Sequence, residues 1–219
     1  MTEAVEAQDM ALANGSVEQT VAPDLPLDPL AAKLAECWNV VRDKPEDFAG
    51  WTALASAAEK LVRSLQREPP AAAGRATHVA AGSHAFDDPE QLSAAYEALL
   101  AEWPLCYAYW KKLADALTRH GRDALALEAL ERGAAAVPYS VPFWEHYAAH
   151  VVAKGADLEA VRSVFERGVA YCSTDYRAAP LWDAYIAFER GRGGPAAAAA
   201  VYARALQCPL ESLDRLEAG

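Results

Sequence analysis

Residues Ala95–Gly121, AYEALLAEWPLCYAYWKKLADALTRHG, hold the end of one helix, a break at Pro104 and a whole second helix carrying Trp110. Two later stretches repeat the plan: Glu128–Val152 (EALERGAAAVPYSVPFWEHYAAHVV) and Val161–Glu189 (VRSVFERGVAYCSTDYRAAPLWDAYIAFE). Each runs from an apolar helix carrying Glu-Arg-Gly, or its counterpart, through a turn to a Trp. A large apolar residue follows that Trp three places later, as in Trp110/Leu113, Trp144/Tyr147 and Trp182/Tyr185. The tryptophans are 34 and 38 residues apart. Trp51 precedes Trp110 by 59, a normal repeat once an insertion at 67–90 is removed.

A period in this range, with two helices per unit, is the mark of a helical solenoid. One short amphipathic pair cannot bury its apolar stripe alone, so neighbouring pairs stack and share a core. The expected repeat core is Trp51, Tyr96, Trp110, Trp144, Tyr147, Phe165, Trp182, Tyr185 and Tyr202. Each Trp is expected to fill the space within its own helix pair, with Gly133, Gly168 and Ala205 letting the second helix come close. The arginines before them (Arg132, Arg167, Arg204) are placed to reach an acid such as Glu189 on a neighbouring helix. Core aromatics of an irregular helical domain, or an aromatic ligand cage, would not explain the recurrence of Trp and Glu-Arg-Gly together.

The helices follow from apolar spacing and breakers. Leu30, Leu34, Cys37, Trp38 and Val41 line the first, which Pro45 stops. Asp47 caps the next, with Trp51, Leu54, Ala58, Leu61 and Leu65 on one face. Leu92, Tyr96, Leu99 and Leu100 come next, then Tyr109, Trp110, Leu113 and Leu117, ended by Gly121. Ala124, Leu127, Leu130 and Ala134 line another. Later stripes hold Trp144, Tyr147, His150 and Val151; Val161, Val164, Phe165, Gly168 and Val169; Leu181, Trp182, Tyr185 and Phe188; and Val201, Tyr202, Ala205 and Leu206. No segment alternates with a period of two, so the chain is read as all-α. Residues 1–29, acidic and closed by Pro23, Pro26 and Pro29, read as a disordered tail. Residues 30–210 form the array, with 67–90 a flexible Ala/Gly/Pro insertion, and 211–219 a C-terminal tail.

The chain carries a formal charge of −11, of which residues 1–30 supply −6 with no Lys or Arg. That balance argues against a general grip on nucleic acid or an anionic membrane. Cys37, Cys106, Cys172 and Cys208 match no metal or redox spacing and read as buried thiols of an intracellular protein. No apolar run reaches membrane-spanning length. His78, His84, Asp87 and Asp88 lack the context of a metal site. His146 and His150 have ligand spacing but no third ligand. No phosphate loop, nucleophile elbow or His-Glu-x-x-His occurs. The reading is of a non-enzyme with no catalytic, metal or cofactor residues, and cofactors are not expected.

Trp-x-x-(Leu/Tyr) in one helix with Val-(Phe/Tyr)-x-Arg-(Gly/Ala) in the next resembles the half-a-TPR (HAT) repeat. PEDFAGW (Pro45–Trp51), PLCYAYWKK (Pro104–Lys112) and TDYRAAPLWDAYIAFE (Thr174–Glu189) are more specifically similar to the pre-mRNA-processing factor 39 family, over roughly residues 35–210. Residues 67–90 and Leu127, where the repeat prefers Phe or Tyr, depart from the pattern. The resemblance implies a right-handed HAT/TPR-like superhelix acting as a nuclear scaffold. Its implied partners are proteins of the U1 small nuclear ribonucleoprotein and other splicing factors. RNA contact would be indirect, in support of 5′ splice-site recognition. It further implies that dimerisation uses C-terminal repeats that this sequence lacks, so a dimer is not expected by that route. Lys111, Lys112 and Arg119 are the candidate partner-facing residues. The same repeat would also suit a scaffold of 3′-end cleavage or ribosomal RNA processing, or direct RNA binding through a patch that adds Arg122.

Overall fold

The computed structural model describes residues 29–67 and 90–210. Among these residues every regular element is helical: α1 (Pro29–Asp43), α2 (Phe48–Arg67), α3 (Glu90–Glu102), α4 (Tyr107–Arg119), α5 (Asp123–Ala136), α6 (Val141–Ala153), α7 (Leu158–Cys172), α8 (Ala179–Phe188) and α9 (Pro195–Ala205). A π-helical turn, Glu189–Gly193, continues α8. Helices thus claim Pro29, Arg67 and Glu90, which the sequence places in the tail and the insertion. Proline is tolerated at a helix's first position, where its missing N–H has no partner to lose. The remainder of both stretches, the tail 211–219 and the His78, His84, Asp87 and Asp88 set lie outside the described residues.

Each helix packs on the next in the chain. The four units pair α2 with α3, α4 with α5, α6 with α7 and α8 with α9. Within this stack α4 touches α6 and α6 touches α8, whereas second helices do not pack on one another comparably. The array therefore bends toward its first helices, which form the inner side.

Local chemistry sets the helix ends. Asp47 Oδ1 accepts the Ala49 N–H at 3.0 Å, and Asp157 Oδ1 accepts that of Ala160 at 2.7 Å. Both satisfy donors that a helix start leaves open. At the ends of α4 and α6 the chain turns through left-handed Gly121 and Gly155 (φ +70° each). There the N–H groups of Arg122 and Ala156 reach back to Leu117 and Val151, which is a Schellman closure.

The first-helix tryptophans are anchored by a bond that the sequence reading did not anticipate. Nε1 of Trp51, Trp110 and Trp144 donates to the carbonyl of the proline six residues earlier (Pro45, Pro104, Pro138) at 2.7–2.8 Å. The proline that ends one helix thus fixes the tryptophan of the next. Before Trp182 the turn is built differently, with Tyr176 at that position, and the buried Trp182 Nε1 has no hydrogen-bond partner among the described residues.

Two glycines govern how closely the pairs approach. A Cβ on Gly133 would sit 2.6 Å from Phe143 and 3.0 Å from Trp110, and one on Gly168 would sit 3.1 Å from Trp144. The stripe of α5 is consequently small: Ala126, Ala129, Leu130, Gly133 and Ala134 are buried. This corrects the sequence register, because Ala124 and Leu127 face outward. Small residues take the contact side where α4 and α5 come closest, and the leucine at 127 is displaced. Leu65 and Leu206, near helix ends, are also exposed, Tyr202 and His150 are half-buried, and Phe143 is a fully buried core residue that the sequence reading passed over.

Candidate protein-interaction face

Trp51, Tyr96, Trp110, Trp144, Tyr147, Phe165, Trp182 and Tyr185 are all buried. Phe165 stacks on Tyr185 at 4.7 Å with the rings 4° from parallel. These residues hold the helices in place and present little surface. What the array offers a partner is a polar layer over this core, with Leu105, Tyr139 and Tyr176 exposed beside it.

On the outer side that layer is a ladder of ion pairs between successive second helices. Arg132 of α5 binds Glu97 of α3 with both terminal nitrogens, at 3.0 and 2.8 Å. Arg167 of α7 binds Glu131 at 2.7 and 2.9 Å, and Arg204 of α9 binds Glu166 at 2.6 and 2.8 Å. The Glu-Arg dipeptide makes this possible: each second helix gives its acid to the next repeat and its arginine to the previous one. The guanidiniums lie 5.2–5.6 Å from the ring centroids of Trp110, Trp144 and Trp182. Tyr147 and Tyr185 donate their hydroxyls to Glu131 and Glu166. The bridging arginines hold both carboxyls below the usual range, against the pull of partial burial. Ala98 and Ala203 occupy the Arg and Glu positions at the two ends, so the ladder stops there.

Glu189 is not the acid that these arginines reach, as the sequence spacing suggested. It lies in the π-turn, 1% exposed, and accepts two bonds from Arg162 of α7 at 2.7 and 2.8 Å. Nothing in the sequence marks this pair, because Arg162 belongs to no repeated motif.

On the inner side, α2 and α4 do not close up as α4 and α6 do, and the gap is a cleft of about 490 Å³. Half-buried Val62 gives it apolar surface beside the buried Leu92 and Tyr96, Arg63, Lys112 and Arg119 give it cations, and Glu59 and Asp115 give it acids. Lys112 is committed within the fold. Its Nζ is 2.8 Å from Glu59 Oε1, which also accepts the Tyr96 hydroxyl at 2.7 Å. Burial raises the Glu59 carboxyl, but these two bonds outweigh it and leave it below the usual range.

Lys111 points to the next inner helix, where its charge bears on Glu145 and His146, and it makes no ion pair within 4 Å among the described residues. Arg119 gives its Nε to the Asp115 carbonyl at 3.3 Å, and it makes no ion pair within 4 Å among the described residues. The three candidate cations therefore part: Lys112 and Arg119 share the cleft, while Lys111 lies outside it. Arg63, a further cleft cation, stands on the turn leading to Arg67 and belongs to no motif. Arg122 is held by Glu90 at 2.7 Å.

His146 Nε2 lies 3.1 Å from Asp115 Oδ1, yet the ring N–H is not directed at it and the nitrogen lacks a hydrogen bond. Burial lowers the pKa of His146 and of His150. Around these two imidazoles the described residues assemble no group of three potential metal ligands.

A profile of the PRP39 N-terminal HAT repeat matches residues 35–217. Pre-mRNA-processing factor 39 of Danio rerio is 34% identical over 178 residues, covering 79% of this chain and 20% of that protein. Pre-mRNA-processing factor 39-2 of Arabidopsis thaliana is 39% identical over 128 residues, covering 58% of the chain and 12% of that protein. The Homo sapiens protein is 31% identical over 179 residues, covering 80% and 23%. The chain thus spans about a fifth of the first and third of these relatives. The tryptophan-centred helix pairs and the extent of the profile match together make this chain a member of the pre-mRNA-processing factor 39 family, matching its N-terminal HAT repeats.

Proposed function

We propose that the chain is a non-catalytic interaction scaffold of pre-mRNA splicing. It works in the nucleus, associates with proteins of the U1 small nuclear ribonucleoprotein and supports 5′ splice-site recognition, with RNA contacted indirectly. The observation that carries this reading is the family match over residues 35–217. The architecture supports it physically: the repeat-core aromatic residues are buried, the ion pairs hold repeats in register, and Tyr107, Tyr139, Tyr171 and Tyr176 stay exposed. What remains is a curved surface, the form in which solenoids recognise other proteins. The net charge of −11 favours protein partners over bare RNA.

Affinity capture of the tagged full chain from nuclear extract, with identification of RNA and proteins, tests the assignment. Enrichment of U1 RNA with its proteins is expected. Enrichment of cleavage factors or nucleolar complexes instead would overturn the splicing assignment and retain the scaffold.

A further inference from the structure

The cleft between α2 and α4 has a chemistry of its own. Most arginines of the array meet an acid: Arg122, Arg132, Arg162, Arg167, Arg177 and Arg204 all do. Among the described residues Arg42, Arg63, Arg119, Arg190 and Arg192 make no ion pair within 4 Å, and of these Arg63, whose charge bears on Glu59, and Arg119 line the cleft. Glu59 and Asp115 line the cleft together with Lys112, Arg63 and Arg119, so three cations face two acids and the place keeps a net positive charge in a chain of charge −11. A guanidinium offers its donors in a planar fork that matches a carboxylate. Half-buried Val62 adds apolar surface to the lining, while Leu92 is only 2% exposed. A volume of about 490 Å³ accommodates a few side chains rather than a folded domain. A nucleic-acid backbone would reward a continuous run of cations, which this cleft does not provide.

We infer that the cleft docks an acidic peptide segment of a partner protein, with carboxylates on Arg63 and Arg119 and an apolar side chain against Val62. This gives the scaffold reading a partner chemistry and rests on it only in taking the occupant to be a protein. In the bound state the peptide would supply acids to two arginines that make no ion pair among the described residues. Charge complementarity of this kind sets partner choice and encounter rate, while the apolar contact adds residence time.

The test uses the purified full chain and fluorescence anisotropy of a labelled peptide of repeating Glu-Leu-Asp. Saturable binding that weakens as salt rises is expected. The double variant Arg63→Glu/Arg119→Glu should weaken it at least about tenfold, since two charge-assisted bonds are lost and two repulsions gained. The neutral pair Arg63→Gln/Arg119→Gln, which asks less of the fold, should fall between. Arg42→Glu, on α1 outside the cleft, should leave it unchanged. No saturable binding, equal binding by the double variant, or equal binding of a Lys-Leu-Arg peptide or a short RNA would overturn the inference. Because only purified components are used, a failure here and a failure to capture the U1 particle from extract are separate results.

Discussion

Gly133→Ala places a methyl group where α5 packs closely on Phe143 and Trp110. The new Cβ would lie 2.6 and 2.7 Å from two atoms of the Phe143 ring and 3.0 Å from Trp110. Phe143 is fully buried and packs edge-on against Trp144, so its ring cannot swing away. Overpacking of this kind costs about 1–3 kcal/mol, and contacts this short place it in the upper half. Helix propensity returns roughly 1 kcal/mol on replacing Gly by Ala. The net loss is about 1–2 kcal/mol, a fall in Tm of about 2–8 °C for a chain of this size. Gly191→Ala is the internal control, because its Cβ meets nothing within 4 Å and should stabilise by about 0.4–1 kcal/mol. Thermal unfolding followed by circular dichroism compares the two. The double variant Gly133→Ala/Phe143→Leu, which removes the clashing ring atoms, should lose less than the sum of its parts. If Gly133→Ala raises Tm as Gly191→Ala does, the close approach of α5 to the α4–α6 core is refuted.

Trp144→Ala should cost about 3–5 kcal/mol, measured by urea unfolding, since the residue is 1% exposed and bonded to Pro138; an unchanged midpoint would show that Trp144 is not core. Arg162→Ala should lower Tm more than Arg132→Ala, because it strands the buried Glu189 carboxylate, and adding Glu189→Gln should recover part of the loss. Stability should fall with acid in two windows. His146 and His150, lowered by burial, bind protons more readily when unfolded, so their share is lost as pH drops below about 6.5. Glu131 and Glu166, held down chiefly by Arg167 and Arg204, with Glu59, contribute fully above about pH 4.3 and lose that share as pH falls through their lowered values. Glu145, raised by burial, opposes the second trend. A Tm profile of His146→Gln/His150→Gln that kept the first window unchanged would refute the histidine assignment.

The repeat was legible because its physics is local. A Trp with a Leu or Tyr three residues on marks one helix face, and prolines and glycines at the ends mark where each helix stops. Those signals fix the helices and their number of residues without reference to any neighbour, and the wording around Pro104–Lys112 was enough to suggest the family. Register was legible only where one large residue dominated a face. On α5 the sequence favours Leu127, but packing favours Ala126, Ala129 and Gly133, because the approach of a facing helix is limited by the bulk on the contact side. Pro45/Trp51, Pro104/Trp110 and Pro138/Trp144 share a separation visible in the sequence, and the bond it encodes needed a folded turn to appear.

The sequence by itself determined the all-helical repeat, its period, its aromatic core and its acidic charge, all of which follow from spacing along one chain. Only the tertiary structure decided which acid each arginine meets, the burial of Glu189 against Arg162, and the division of Lys111, Lys112 and Arg119 between two surfaces. Ion pairs form between helices about one repeat apart, and cations are committed or left free by what stands opposite them. That is a property of the stacked array, and no spacing within a single helix contains it.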